Sequence, residues 1–134
     1  MKKIEHIGIA VKDLNNATAL FEKLFNQDHY KSEEVLSEGV STSFFKLGET
    51  KIELLQASNP NSPIAKFIDK RGEGIHHIAF EVENIKSEMN RLLSEGFELI
   101  NTEAKDGADN KKICFLHPKS TNGVLIELCQ EKTP

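Results

Sequence analysis

Two histidines and two glutamates of this 134-residue chain recur as matched pairs, and their types suit a divalent cation. Glu5-His6-Ile7-Gly8-Ile9-Ala10-Val11 can be laid under His76-His77-Ile78-Ala79-Phe80-Glu81-Val82, which puts His6 and His77 71 positions apart. Ile52-Glu53-Leu54 matches Ile126-Glu127-Leu128, with Glu53 and Glu127 74 positions apart. One strand histidine or glutamate usually faces solvent or finds a local partner. A glutamate within an apolar strand is costly to bury unpaired, so the same cost at matching points of two repeats needs a shared cause. Two neutral imidazoles and two carboxylates around a divalent cation supply that cause, and they leave coordination positions open for water or substrate.

Such a site suits proton abstraction next to a carbonyl. The cation stabilises the enolate oxyanion and a nearby carboxylate takes the proton. Pseudo-twofold symmetry would set Glu53 and Glu127 on opposite sides of a substrate, so that one removes a proton from one face and the other returns it to the opposite face. Coordination occupies the same oxygens, so one glutamate must loosen to act. His76 competes with His77, but adjacent strand residues face opposite sides and the repeat register selects His77. The match of His76 with Glu5 places that position outside the ligand set. His29 has no repeat support and is expected on the surface, and His117 opens a Pro-Lys-Ser loop as a contact residue.

The elements that must position these residues repeat as well. A β-rich run over residues 4–11 is followed by Asp13, a helix cap, and a stripe of Leu14, Ala17, Leu20, Phe21, Leu24 and Phe25 that ends near Asn26. Strands are expected at Tyr30 to Leu36, Val40 to Leu47 and Lys51 to Gln56. Residues 57–74 read as a linker, with Ser62-Pro63 opening a short helix. The second copy has a strand over 75–82 and an Asn84 cap 71 positions after Asp13. Its helix carries Ile85, Met89, Leu92 and Leu93 and closes at Gly96; strands follow at 97–101, 112–116 and 124–129. The expected fold is therefore α+β: two tandem β-α-β-β-β modules, residues 1–56 and 75–134, forming a curved mixed sheet around a metal site.

Composition narrows the class. The length suits one domain that buries roughly two-thirds of its unfolded surface. A net charge of −4 argues against nucleic-acid binding through a broad basic face. Lys111, Lys112 and Lys119 flank one strand and could still gather round a polyanionic small molecule. No apolar run approaches the roughly 18 residues of a membrane span. Cys114 and Cys129 read as buried reduced thiols, and the N-terminus enters a strand without a signal pattern, so a cytoplasmic location is expected.

With these residues in place, the chain resembles the vicinal oxygen chelate superfamily, which includes glyoxalase I, extradiol dioxygenases and fosfomycin-resistance proteins. Within it the likeness is greatest to methylmalonyl-CoA epimerases. It rests on His6 to Val11, Gly39-Val40, Ile52 to Leu55, Ser62 to Phe67, Arg71 to Ile78, His117-Pro118-Lys119-Ser120 and Gly123 to Leu128. The resemblance implies metal ligands at His6, Glu53, His77 and Glu127, and one divalent ion, Co2+, Mn2+, Ni2+ or Zn2+. It implies an acyl-CoA substrate, a metal-stabilised enolate of the thioester, and a homodimer. A base glutamate that some epimerases carry after Gly-Val falls on Thr42, so Glu127 or Glu53 is left as the base. Lys112, His117 and Lys119 are expected toward the CoA phosphates. The rival activity is that of glyoxalase I on the glutathione–methylglyoxal hemithioacetal, against which His117-Pro118-Lys119-Ser120 stands in place of an Asp-Pro-Asp-Gly type segment. A non-catalytic small-molecule binding protein of the same fold is a further alternative, one that would need no metal ligands.

Overall fold

The computed structural model describes residues 1–132. The chain forms two compact units: Met1–His6 with His77–Pro134, and Ile7–His76. The fold is α+β, with three α-helices and eight strands among the described residues.

In the Ile7–His76 unit, α1 (Leu14–Phe25) starts at Asp13, whose side chain accepts the Asn16 amide, and ends at Asn26 in the left-handed region at φ 55°. Its apolar stripe, including Leu14, Ala17, Phe21 and Phe25, packs on Val11, Phe45 and Leu54. Strands β2 (Lys31–Val35), β3 (Val40–Leu47) and β4 (Thr50–Ala57) pair antiparallel in sequence order. Between β2 and β3 a 3-10 turn over Leu36–Glu38 ends at Gly39, φ 65°. A Cβ there would stand 2.8 Å from the Ser62 Cβ, so turn and cap both require the glycine. Ser62 in turn caps α2 (Pro63–Arg71), which lays Ile64, Phe67 and Ile68 on Ala10, Val40 and Leu55.

In the other unit, β5 (Gly74–Glu81), of which His77 onward belongs here, runs parallel to β8 (Ile126–Glu131). β8 pairs antiparallel with β7 (Lys111–Leu116), and β7 with the two-residue β6 (Lys105–Asp106). Helix α3 (Ile85–Ser94), capped by Asn84, buries Ile85, Met89 and Leu92 against Val82, Cys114, Leu116 and Leu128. Strand β1 (Lys3–Ala10) starts in this unit, its lead-in donating from the Lys2 amide to Glu81 O at 2.8 Å, and continues into the Ile7–His76 unit.

The expected strand over 97–101 is reduced to one bridge, Leu99 with Leu116. Side chains displace its ladder: the Asn101 Oδ1 accepts the Phe115 amide at 2.8 Å, and the Ser120 hydroxyl accepts the Glu98 amide at 3.2 Å. The additional strand is β6 instead.

One repeated device was not foreseen. The first amide of α1, Leu14 N, donates to Gln56 Oε1 at 2.6 Å, and that of α3, Ile85 N, donates to Gln130 Oε1 at 2.7 Å. Each glutamine follows its strand glutamate by three residues. An odd spacing on a strand puts two side chains on opposite faces. So in each unit the glutamine reaches the helix start while the glutamate points the other way. Replacing Gln56 or Gln130 by alanine is expected to cost about 1 kcal/mol each through the lost helix-start partner. Urea unfolding of the two variants measures this, and an unchanged midpoint in both would contradict it.

Candidate metal centre

The centre is built within the Met1–His6/His77–Pro134 unit. β5 and β8 are in parallel register with Ala79 opposite Glu127. His77 precedes Ala79 by two residues and shares its face, which brings it beside Glu127. Across β8, Phe115 of β7 lies opposite Glu127 and turns its ring edge-on to His77, with centroids 5.8 Å apart. β1 supplies His6.

These strands bring His6, His77 and Glu127 together, at 6, 4 and 5% exposure. The two Nε2 atoms face each other at 3.0 Å with the rings near perpendicular, and Glu127 Oε1 lies 3.2 Å from His77 Nε2 and 3.6 Å from His6 Nε2. One ligand atom from each of the three thus lies within 4.8 Å of the others. Burial on its own would raise the Glu127 carboxyl. The charge and hydrogen bond of His6, with those of His77, together outweigh it and hold the group well below the usual carboxylate range. Two imidazole nitrogens and one carboxylate oxygen aimed at one small buried place fit a divalent cation of the Zn2+, Co2+, Ni2+ or Mn2+ kind.

The Nδ1 of His6 has its own partner. It lies 2.7 Å from Glu5 Oε1, and the other Glu5 oxygen is 4.0 Å from Lys111 Nζ. Lys111 also meets Glu131 at 3.1 Å. Sequence reasoning assigned Glu5 no task, and it counted Lys111 among lysines available to an anion. Lys111 is 3% exposed and turned inward. An acidic residue directly before a strand histidine was the available signal for Glu5.

Glu53 lies in the Ile7–His76 unit, buried at 4% exposure on β4 opposite Phe44, and is not one of the three clustered donors. In that unit Thr42 is fully buried on β3, its hydroxyl donating to Glu33 O. His76 stands edge-on to Phe67, and His29 is half-buried with Nδ1 2.8 Å from Glu22. Of the expected phosphate contacts, His117 and Lys119 both approach Glu98, at 4.0 and 3.5 Å, and the Lys119 amide donates to His117 Nδ1. Lys112 is held elsewhere, 3.0 Å from Asp106.

The profile of the Glyoxalase/Bleomycin resistance protein/Dioxygenase superfamily matches residues 5–115, and the chain belongs to that superfamily. Within it the chain is similar to methylmalonyl-CoA epimerases. It is 41% identical over 127 residues to the mitochondrial methylmalonyl-CoA epimerase of Dictyostelium discoideum, covering 94% of this chain and 76% of that protein. It is 40% identical over 130 residues to the ethylmalonyl-CoA/methylmalonyl-CoA epimerase of Cereibacter sphaeroides, covering 96 and 97%. Among solved structures, a variant of Streptomyces coelicolor methylmalonyl-CoA epimerase in complex with 2-nitronate-propionyl-CoA superposes with a TM-score of 0.95 at 29% identity, covering 99% of each chain.

Cys129 follows Glu127 by two residues on β8, and its thiol is pushed up by burial and then by the charges of Glu127 and Glu5. Burial likewise raises Cys114. Thiols so held are poor nucleophiles. Neither cysteine should react with an aromatic disulfide reagent at pH 8 within the time that unfolded chain reacts fully. Rapid modification of the native protein would contradict their placement.

Proposed function

We propose that the chain epimerises methylmalonyl-CoA by removing and returning the proton next to the thioester carbonyl. The observation that carries this reading is the convergence of His6 Nε2, His77 Nε2 and Glu127 Oε1 in a buried place, in a chain similar along nearly its whole length to methylmalonyl-CoA epimerases.

His6, His77 and Glu127 would hold a divalent ion, Co2+, Mn2+, Ni2+ or Zn2+, with Glu53 as the proposed fourth ligand. Such an ion supplies electrophilic stabilisation for negative charge developing on the thioester oxygen. The acid–base work falls to the chain. Glu127 is the carboxylate proposed to take the proton. Glu53 is the second carboxylate of the scheme, returning the proton from the other face. Burial of Glu127 and of both imidazoles would limit bulk water beside the proposed reacting carbon. Lys112, His117 and Lys119 are the proposed contacts to the CoA phosphates, by charge and by hydrogen bonding. The chain is proposed to work as a homodimer in the cytoplasm, on a small-molecule substrate and without nucleic acid or membrane. The net charge of −4 accords with the absence of a nucleic-acid partner.

Purified protein should interconvert (R)- and (S)-methylmalonyl-CoA, lose the activity on chelation and regain it with Co2+ or Zn2+. Formation of S-lactoylglutathione from the methylglyoxal hemithioacetal, without methylmalonyl-CoA racemisation, would instead assign a glyoxalase. Glu127→Gln and Glu53→Gln should each slow exchange of the substrate proton with deuterated water about 10²-fold or more, the scale of positioned acid–base catalysis. Exchange at the wild-type rate in both variants would remove the two-carboxylate scheme.

A further inference from the structure

We propose that Glu5, anchored by Lys111, is a positioning residue that fixes the tautomer of His6 and so decides which ring nitrogen is offered to a cation. Glu5 is 2% exposed and Lys111 3%. A carboxylate and an ammonium buried this deeply are costly unless each meets a partner. Here they meet each other and two further groups: Glu5 Oε1 takes the His6 Nδ1 at 2.7 Å, and Lys111 reaches Glu5 at 4.0 Å and Glu131 at 3.1 Å.

The consequence for His6 follows from donor and acceptor inventory. An ionised carboxylate only accepts, so the proton of a neutral His6 sits on Nδ1 and the lone pair on Nε2. That Nε2 is the atom facing His77 Nε2 at 3.0 Å and Glu127 Oε1 at 3.6 Å. A negative group behind a ligating imidazole also strengthens its donation to a cation. The matching position of the second repeat is His76, which stands edge-on to Phe67. The tautomer claim stands on the hydrogen bond alone; its consequence for cation binding rests on the metal-centre reading above.

The test pairs two readouts on the whole chain. Nitrogen-15 NMR of metal-free protein should show neutral His6 protonated at Nδ1, and Glu5→Ala should abolish that preference. Titration with Co2+ alone, followed by its visible absorption, should give a dissociation constant about 10–100-fold higher for Glu5→Ala than for the wild type, the usual scale for losing such a partner. Glu5→Gln keeps the shape and the accepting oxygen but not the charge. It should retain the Nδ1–H signal while binding Co2+ several-fold more weakly, and it decides the matter if the alanine variant fails to fold. His6 protonated at Nε2 in the wild type overturns the proposal without any variant. Equal Co2+ constants for wild type and Glu5→Gln overturn it too. Wild-type protein that takes up no Co2+ yet shows His6 protonated at Nδ1 defeats the metal-centre reading and leaves the positioning role standing.

Discussion

The structure turns on two imidazole nitrogens that face each other at 3.0 Å inside a buried pocket of side chains, with a carboxylate oxygen 3.2 Å from one of them. Nothing in ordinary core packing favours this. Burying three polar groups is unfavourable unless each is matched. Matching Nε2 to Nε2 requires a proton on one ring and a lone pair on the other. The neighbours can supply that pattern: Glu5 Oε1 lies 2.7 Å from His6 Nδ1, and Glu127 Oε1 lies 3.2 Å from His77 Nε2. A cation at this place would satisfy the three donors at once, with no proton left to share.

Strand geometry makes the arrangement reproducible. In both units a strand glutamate is followed three residues later by a glutamine that binds the first amide of a helix. Face alternation then ties two things together: fixing the glutamine on the helix fixes the glutamate on the other side. The helix caps Asp13 and Asn84 adopt nearly the same backbone, φ −133°, ψ 107° and φ −134°, ψ 103°. Two copies of one unit therefore use one set of local rules, and the two strand glutamates inherit their placement from the helices behind them.

Much of this was legible in the chain, because duplication turns weak signals into paired ones. His6 with His77, Glu53 with Glu127 and Asp13 with Asn84 each gain from the other copy what a single residue cannot carry. What escaped is what breaks the pattern. Residues 97–101 look like a strand by composition, but Asn101 and Ser120 take over hydrogen bonds a ladder would make. Alternation puts neighbours on opposite faces, so it gives no warning that Glu5 would reach the ring of His6. Lys111 reads as one more surface lysine, since its burial depends on Glu5 and Glu131, from other strands.

The central claim is that His6, His77 and Glu127 share one ion. Anomalous diffraction at the cobalt edge, from crystals grown with Co2+, tests it most directly. The account predicts one strong peak about 2.0–2.2 Å from both Nε2 atoms and from a Glu127 oxygen, the range of such bonds to a first-row divalent ion. Cobalt bound only elsewhere on the chain, with the two imidazoles still facing each other across an occupied hydrogen bond, would contradict it.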